Sequence, residues 1–410
     1  MNAVIVAVGS ELLRPGRRDT NAEWLVEQLL DLGVETVWRA NVGDDEARIA
    51  SLVAAARSDA AIVIVTGGLG PTEDDRTREA IARALEAPLE RDDVMVRSID
   101  AMFAARGRVA SPRQHVQAMR PRGTLWIENP LGSAPGLLVD LDGGLLAVLP
   151  GVPSEMRAMF ANTVAPRLRQ ASAATLSRRT LHVAGRPESW VDERLRDLYA
   201  TPATETTILA SSGTVELLLT ARGTDRADAD ARLATLEGAM RARLGDDVAG
   251  ADGDTLASVA GGLLHARHST VAVAESCTGG LLGAALTDVP GSSAWFRGGV
   301  VCYANDTKVA LARVPDELIR AHGAVSEPVA RAMARGARAV FGADFGLGVT
   351  GIAGPSGGTH EKPVGTVHVA LADGTTERAR SLDWPGDRTL IRRRAVAAAL
   401  DLLRRRLLER

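Results

Sequence analysis

The first 168 residues alternate short apolar runs with stretches whose apolar residues recur at helical spacing. The apolar runs predict β-strands and cover residues 4–8, 34–41 and 61–65. The amphipathic stretches predict helices and cover residues 20–32, 46–57 and 76–85. Strands that are apolar on both faces and alternate with helices favour a mainly parallel sheet. Ligands bind such a sheet where its strands end, so the loops after the strands are the first candidates for a site.

Residues 169–250 carry a weaker pattern and no loop in which acidic side chains converge. Strands are predicted at residues 181–184, 206–210 and 214–221. Amphipathic helices are predicted at residues 187–199 and 227–244. The pattern therefore predicts a small α+β connecting domain. Three glycines and four aspartates between residues 245 and 254 indicate the linker that follows it.

Residues 251–410 return to alternating strands and helices and predict an α/β domain. The predicted strands cover residues 270–274, 299–303, 345–350 and 364–370. The predicted helices cover residues 256–266, 281–287, 316–321, 327–341 and 388–408. Arg388 opens the last helix, and the other arginines of that helix are predicted to form a solvated face.

Composition limits the possible classes of protein. The 410 residues are 46% apolar and carry a formal charge of −3, so no basic field calls for nucleic acid or an anionic membrane. Two cysteines give neither a disulfide framework nor a metal-binding CxxC pair. No apolar run approaches a membrane span, and the N-terminus predicts a first strand rather than a signal peptide. We therefore expect a cytoplasmic protein.

The loop at residues 66–75, TGGLGPTEDD, follows the third predicted strand. Its glycines let backbone N–H groups approach an anion, and the next helix adds its positive end. Asp74 and Asp75 beside it suggest a divalent cation that bridges carboxylate and phosphate. Further loops of Gly and Pro lie at residues 132–136 and 149–156. Together they predict a site for a phosphorylated ligand.

Three nucleophiles compete in residues 274–308. Cys277 lies beside two glycines at a helix start, which is expected to lower its pKa, but the seven histidines offer it no evident partner. Ser276 lies in the same loop without a GxSxG motif. Ser293 precedes a predicted strand that leads to Tyr303 and Lys308. Lys308 is one of only two lysines in the chain, and a neutral lysine can act as a base. The residues alone leave all three nucleophiles open.

The motifs GSELL (9–13), DTN (19–21), NVGDD (41–45), TGGLGPTEDD (66–75) and LPGVPSEM (149–156) resemble the N-terminal domain of the CinA family. That domain is similar to the molybdopterin-binding MoaB/MogA fold. The resemblance implies ADP-ribose pyrophosphatase activity with a divalent metal of unknown identity. It implies that the nucleotide site contains Glu11, Asn21, Gly67, Gly68, Asp74, Asp75, Thr77 and Ser133. The metal ligands would be Asp74, Asp75 and Glu155.

The motifs AESCTGG (274–280), GSSAWFRGGVVCYAN (291–305), HGAVSEPV (322–329), TGIAGPSGG (350–358), KPVGTVHVA (362–370) and GDR (386–388) resemble the C-terminal domain of the same family. The resemblance implies deamidation of nicotinamide mononucleotide (NMN) to the acid and ammonia, without a cofactor. It implies the catalytic group Ser293, Tyr303 and Lys308. The implied substrate-binding residues are Glu275, Ser276, Thr278, Gly279, Gly280, Gly351, Ala353, Gly354 and Arg388.

The expected architecture is thus a MoaB/MogA-like parallel-sheet domain at 1–168, a KH-like α+β domain at 169–250 and an α/β amidase domain at 251–410. The middle domain lacks a GxxG loop, so we expect no nucleic-acid partner. The expected partners are NMN, ADP-ribose and a second copy of the chain, in a role in NAD recycling. The alternative is a pterin- or nucleotide-binding module with a competence or DNA-transaction role.

Overall fold

A computed structural model describes residues 1–171, 175–199, 201–211 and 213–409. The chain divides into two compact units. One consists of Met1–Ser177 with Arg222–Asp230, and the other of Arg178–Ala221 with Ala231–Arg410. Within the described ranges, no helix is both long enough and apolar enough to span a membrane.

The N-terminal domain alternates strands and helices as predicted, and its first six elements agree with the prediction to within two residues. Its elements, in chain order, are β1 (Asn2–Val8), α1 (Thr20–Asp31), β2 (Glu35–Val42), α2 (Glu46–Asp59), β3 (Ile62–Thr66), α3 (Thr77–Ala84), β4 (Leu89–Arg91), α4 (Asp93–Ala105), β5 (Met119–Pro121), β6 (Leu125–Ile127), β7 (Gly136–Leu141), β8 (Gly144–Leu149), α5 (Pro153–Met159) and α6 (Ala165–Ala171).

The main sheet of this domain has the strand order β2-β1-β3-β8-β7-β6. Strands β2, β1, β3 and β8 are parallel, whereas β7 and β6 are antiparallel to their neighbours. Helices α1, α5 and α6 pack on one face of the sheet, and α2 and α3 pack on the other. Because β1, β3 and β8 are neighbouring parallel strands, their carboxyl ends lie side by side. The loops after Val8, Thr66 and Leu149 therefore meet at this end of the sheet.

The middle domain is a four-stranded sheet with two helices. Its elements are β9 (Thr175–Ala184), α7 (Glu188–Leu195), β10 (Thr204–Ala210), β11 (Thr214–Gly223), α8 (Arg226–Leu244) and β12 (Val248–Ala251), with the strand order β10-β11-β9-β12. In this sheet β10 is antiparallel to β11, and β12 is antiparallel to β9. The linker prediction for residues 245–254 is wrong where β12 forms. This strand pairs with β9, and Ala249 is buried. Paired backbone and a buried side chain outweigh the glycine and aspartate content.

The C-terminal domain contains α9 (Leu256–Ala266), β13 (Val271–Glu275), α10 (Leu281–Thr287), β14 (Phe296–Val301), α11 (Asn305–Ala312), α12 (Asp316–His322), α13 (Glu327–Phe341), β15 (Phe345–Gly351), β16 (Thr366–Ala372), β17 (Glu377–Asp383) and α14 (Arg388–Leu408). The sheet order is β14-β13-β15-β16-β17, with β14, β13 and β15 parallel. Helices α9, α10 and α14 cover one face, and α11, α12 and α13 the other. The sequence pattern missed α11 and β17, and it placed β14 three residues too late.

The prediction that the arginines of α14 form a solvated face is wrong for Arg404 and Arg405, whereas Arg393 is exposed as predicted. Arg404 is only 1% exposed, and Asp401 is buried beside it. Arg404 Nη2 donates to Asp401 Oδ1 at 2.7 Å and to the Asp246 carbonyl at 2.6 Å. Arg405 Nη2 donates to Asp247 Oδ1 at 2.7 Å. These arginines therefore join α14 to the segment before β12 through hydrogen bonds rather than facing water.

Candidate active sites

The first candidate site forms where β14, β13 and β15 end side by side. Glu275 at the end of β13 is in register with Val301 on one side and Val349 on the other. The Ser276 N–H donates to the Val349 carbonyl at 2.9 Å. The Cys302 N–H donates to the Glu275 carbonyl at 2.8 Å. The loops that follow the three strands are thereby fixed beside one another, as the sequence predicted for parallel strands.

Lys308 lies on α11, and its side chain reaches the residues that directly follow β14. Its side chain is 2% exposed, and Nζ donates to the carbonyls of Cys302 at 3.1 Å and Tyr303 at 3.0 Å. Burial lowers the pKa of Lys308 below its ordinary value. Neither acceptor is a carboxylate, so these contacts give the ammonium no ion-pair partner to offset its burial. The arrangement favours an amine that can accept a proton.

Ser276 belongs to the same face of the sheet as Lys308. Ala272 and Ala274 of β13 pack with Cys302 in the core beneath α13. Glu275 points to the opposite face, toward α10. Ser276 directly follows the last residue of β13, and its N–H still bonds to the neighbouring strand β15. Continuing the alternation of the strand by this one residue places Ser276 on the face of Ala274. Its side chain is 8% exposed. Its hydroxyl makes no hydrogen bond within the described residues, so it is free to meet a substrate.

Ser293 does not join Tyr303 and Lys308 within one chain. It lies in the short helical turn Ser292–Ala294, before β14 begins, whereas Tyr303 and Lys308 follow the end of that strand. At about 3.3 Å per residue, Phe296 and Val301 alone are roughly 16 Å apart. The predicted catalytic group is therefore not assembled in the monomer, because the intervening residues are a strand rather than a loop.

Cys277 is a buried thiol. Burial raises its pKa to about 11, and burial also raises the pKa of Cys302. The expectation that two adjacent glycines lower the pKa of Cys277 is wrong, since loss of solvation outweighs the helix start. A thiol with this pKa stays protonated near neutral pH and is a poor nucleophile.

Glu275 fills the helix start that the sequence suggested as an anion site. Its carboxylate accepts from the N–H groups of Gly280 and Leu282 at 3.0 Å and of Gly283 at 2.8 Å. The side chain is 1% exposed. These donors are therefore occupied by the protein's own carboxylate, and the predicted roles of Glu275 and Gly280 in substrate binding are replaced by a role in shaping the loop.

Arg388 connects the two loops that flank β13. Its Nη2 donates to the Tyr303 hydroxyl at 2.8 Å, and its Nη1 donates to the Gly354 carbonyl at 2.8 Å. Tyr303 is 58% exposed. Tyr303 follows β14 and Gly354 follows β15, so the guanidinium spans the end of the strand between them, where Ser276 lies.

The remaining predicted C-terminal residues shape the same edge. Thr278 is fully buried, and its Oγ1 has no hydrogen-bond partner. Gly279 has φ +58°, in the left-handed region. Ala353 is buried, and a Cβ on Gly351 would lie 2.8 Å from Val367. These residues therefore pack the loops closely around Ser276.

Arg392 belongs to the site although the sequence reasoning missed it. Its Nη2 donates to the Thr278 carbonyl at 2.7 Å, and its Nε donates to the Cys277 carbonyl at 3.1 Å. Arg388 and Arg392 are four residues apart on α14, hence on one face of the helix. That spacing was the available signal.

The second candidate site is a cavity of about 420 Å³ where β1, β3 and β8 end. Seven predicted residues line this cavity, namely Glu11, Gly67, Gly68, Asp74, Asp75, Ser133 and Glu155. A Cβ on Gly67 would lie 2.1 Å from the Val8 carbonyl oxygen, so only glycine fits there. Thr77 is buried behind the loop, where its Oγ1 donates to the Gly67 carbonyl at 2.8 Å.

Arg78 supports the same loop and was not predicted. It is fully buried, and its guanidinium donates to the carbonyls of Leu69 and Gly70. Burial lowers its pKa to about 10, so it remains a cation near neutral pH. The sequence signal was weak, because an arginine at a helix start usually faces solvent.

The predicted metal ligands do not form a ready cation site. Asp75 Oδ2 accepts from the N–H of Thr72 at 2.8 Å. Glu155 Oε2 accepts from Asn129 Nδ2 at 2.7 Å. Asp74 is exposed, and its hydrogen bond with Thr72 lowers its pKa. Across the described part of the chain, no three His, Cys, Asp or Glu side chains cluster closely enough to hold an ion. A cation here would need most of its ligands from the substrate.

The fold and the two sites define a chain with two α/β domains, each with its site where parallel strands end, joined by a small α+β domain. Family models match all three parts. The CinA C-terminal domain matches residues 253–407, a probable molybdopterin binding domain matches 4–170, and the damage-inducible protein CinA KH domain matches 178–250. The chain belongs to the CinA family, which confirms the resemblance and the predicted fold class.

Curated relatives match over the whole chain. A putative competence-damage inducible protein of Symbiobacterium thermophilum is 46% identical, covering 100% of this chain and 99% of the relative. A CinA-like protein of Parasynechococcus marenigrum is 45% identical, covering 98% of each. Among solved structures, competence/damage inducible protein CihA from Agrobacterium tumefaciens is 40% identical with a TM-score of 0.35, covering 36% of this chain and 93% of its own.

Proposed function

We propose that the C-terminal domain is a nicotinamide-nucleotide amidase that hydrolyses the carboxamide of NMN to nicotinic acid mononucleotide and ammonia. The observation that carries this proposal is the buried Lys308, whose Nζ donates to the carbonyls of Cys302 and Tyr303 at the strand ends that carry Ser276. A lysine of lowered pKa at the strand ends that carry a serine hydroxyl is a candidate base for acyl transfer without a metal. Geometry favours Ser276 over Ser293 as the nucleophile.

In the proposed reaction, neutral Lys308 takes the proton of the Ser276 hydroxyl while its oxygen attacks the carboxamide carbon. The protonated lysine then gives the proton to the departing nitrogen, and ammonia leaves. Lys308 next takes a proton from water, whose oxygen attacks the ester. Cleavage releases the carboxylic acid, and the proton returns to Ser276. Each proton is conserved, and the pyridinium of NMN keeps the carboxamide electrophilic throughout.

Backbone N–H groups beside Ser276 are suited to stabilise the tetrahedral oxyanion. Of the N–H groups at Ser276, Gly279 and Gly280, each already donates to an acceptor within the protein. Those of Cys277 and Thr278 donate to no other residue in the part of the chain that the structure describes. The backbone N–H of the residue directly after a nucleophile is a common donor in oxyanion holes, which favours the N–H of Cys277 for this role. Arg388 is the proposed phosphate ligand of NMN, because it is exposed above the same loop.

The test is ammonia release from NMN. Ser276→Ala and Lys308→Met should each lower kcat by at least about 10³-fold. Cys277→Ala should retain activity. Ser293→Ala separates the two serine assignments, because the monomer geometry predicts nearly unchanged kcat. Retained activity in Ser276→Ala with loss in Ser293→Ala would overturn the assignment and require a second copy to supply Ser293.

For the N-terminal domain we propose metal-assisted hydrolysis of the diphosphate of ADP-ribose. The supporting observation is the cavity lined by Gly67 and Gly68, with Arg78 buried behind the loop. Acidic side chains at Glu11, Asp74 and Asp75 would repel a diphosphate unless a cation screens them. The expected result is AMP formation that requires a divalent cation. No turnover with any divalent cation would leave this domain as a binding module.

That binding module is the second candidate function. The family model that matches residues 4–170 is described as a molybdopterin-binding domain, and relatives bear competence-damage inducible names. In this alternative the cavity binds a pterin or nucleotide without turnover, in a competence or DNA-transaction role. DNA binding with a steep salt dependence would support it. In the preferred proposal the chain is a cytoplasmic homodimer that recycles NAD and binds no nucleic acid.

A further inference from the structure

A second, smaller cavity adjoins the N-terminal site. It has a volume of about 120 Å³. Val8, Glu11 and Gly151 line both this cavity and the larger one, so the two are neighbours where β1 and β8 end. Asp19 and Asn21 of the DTN motif also line the smaller cavity, whereas they do not line the larger one.

Asp19 and Asn21 each keep one oxygen buried without a hydrogen-bond partner among the residues that the structure describes. Asp19 Oδ1 accepts from the Ala22 N–H at 2.9 Å, and its Oδ2 has no partner. Asn21 Nδ2 donates to the Gly151 carbonyl at 2.8 Å, and its Oδ1 has no partner. The contact with Gly151 fixes the orientation of the amide, since a flipped amide would place two oxygens together. Both free groups are therefore acceptors, and buried acceptors without donors are costly.

The missing partner must supply hydrogen-bond donors. A metal cation satisfies oxygen acceptors, but two features oppose it here. The free oxygens lie at the start of α1, which is the positive end of the helix dipole, and Arg18 lines the same cavity. Neutral hydroxyl groups satisfy the acceptors without opposing either charge. The volume is of the order of one five-membered sugar ring.

We infer that this cavity is a ribose subsite, in which Asp19 Oδ2 and Asn21 Oδ1 accept hydrogen bonds from the vicinal hydroxyls of a nucleotide whose diphosphate lies against Gly67 and Gly68. An acidic side chain is the common protein acceptor for ribose hydroxyls. The inference rests on the proposed nucleotide site of the N-terminal domain, and it concerns binding rather than hydrolysis. It gives the DTN motif a role in discriminating ribose from deoxyribose.

The test is calorimetric titration of the full chain with three probes. These are ADP-ribose, its analogue lacking the 2′ and 3′ hydroxyls of the adenosine ribose, and ADP, which lacks the terminal ribose. The key variant is Asp19→Asn, because asparagine still caps α1 through Oδ1 while replacing the free acceptor with a donor. Asp45→Asn is the matched control, since Asp45 caps α2 in the same way and lines neither cavity.

We expect Asp19→Asn to weaken ADP-ribose binding about tenfold and Asp45→Asn to leave it unchanged. The effect of Asp19→Asn should disappear with whichever probe lacks the ribose that occupies the cavity. The unmodified protein should bind that probe about tenfold more weakly than it binds ADP-ribose, and this comparison tests the inference without any variant.

Equal weakening of all three probes by Asp19→Asn, or no weakening, would overturn the subsite. So would binding of Mg²⁺ alone that Asp19→Asn abolishes, because the cavity would then hold a cation. Tight ADP-ribose binding with the expected pattern but no hydrolysis would defeat the pyrophosphatase proposal and keep the subsite. If ADP-ribose does not bind at all, the ribose subsite and the pyrophosphatase proposal are both overturned.

Discussion

The hydroxyl of Tyr303 accepts a hydrogen bond of 2.8 Å from Nη2 of Arg388, eighty-five residues away in the chain. A catalytic tyrosine that relays a proton to Lys308 would need its hydroxyl at the amine. Instead, Lys308 Nζ contacts the Tyr303 carbonyl at 3.0 Å. The Tyr303 hydroxyl thus bonds to Arg388, whereas only the Tyr303 backbone carbonyl bonds to Lys308. This arrangement assigns the Tyr303 side chain to substrate positioning in the proposed amidase.

Tyr303→Phe separates positioning from proton transfer. If the phenol orients Arg388 for the phosphate of NMN, the variant should raise KM about fivefold to tenfold, while kcat changes less than about twofold. Arg388→Met should raise KM further. Steady-state ammonia release gives both constants, with Arg393→Met, at an exposed position of the same helix, as a control. A fall in kcat of about 10²-fold or more in Tyr303→Phe, with KM unchanged, would assign the phenol to proton transfer.

The positions of the first six elements of the N-terminal domain followed from the hydrophobic pattern, whereas α11, β17 and the assembly of the site did not. Residues 299–303 were apolar enough to predict a strand, but the glycines at 298 and 299 hid its true start at Phe296. That error concealed the separation of Ser293 from Lys308. The spacing of residues in a motif gives their separation along the chain. A strand between Ser293 and Tyr303 places these two residues at opposite ends of the sheet.

Burial and hydrogen-bond partners also lay beyond the sequence. Gly279 and Gly280 suggested an open anion nest, yet Glu275 from the same motif occupies the donors at the start of α10. Likewise, Arg404 shares a charged stretch with Arg406, and only packing shows that Arg404 is 1% exposed. Sequence indicates which chemical groups are available, but tertiary contacts decide which of them remain free.

The pH dependence of the amidase should follow Lys308. Burial lowers the pKa of this amine, so its neutral form appears at lower pH than for an exposed lysine. As pH falls through that lowered pKa, Lys308 gains a proton and loses its function as base, so kcat/KM for NMN should fall on the acid side. A profile of kcat/KM against pH measures this decrease. In Cys277→Ala the decrease should occur at the same pH, whereas a shift of its midpoint in this variant would implicate the thiol.

Glu275→Ala should destabilise the C-terminal domain. Three N–H groups at the start of α10 would lose a buried, charged acceptor, which costs about 2–4 kcal/mol in total. Glu275→Gln should cost less, because its amide oxygen still accepts one or two of these bonds. Urea unfolding measures the free energy, with Glu317→Ala on the exposed start of α12 as control. Unchanged stability in Glu275→Ala would show that the loop reorganises around water instead.

The buried arginine of α14 offers the sharpest stability test. Arg404→Met should cost about 3–5 kcal/mol, the usual effect of breaking a buried ion pair. The variant removes the bonds of Arg404 to Asp401 and leaves the Asp246 carbonyl unsatisfied. Arg393→Met is the matched control, because Arg393 is exposed on the same helix. Urea unfolding of the full chain measures the loss in the free energy of unfolding. Amide hydrogen exchange in β12 shows whether this strand is the region that is destabilised. Equal stability of the two variants would mean that Arg380 and Arg405 satisfy Asp401 by themselves. Faster exchange in β12 for Arg404→Met alone is the expected result, since Arg404 is the residue that ties α14 to the backbone just before that strand.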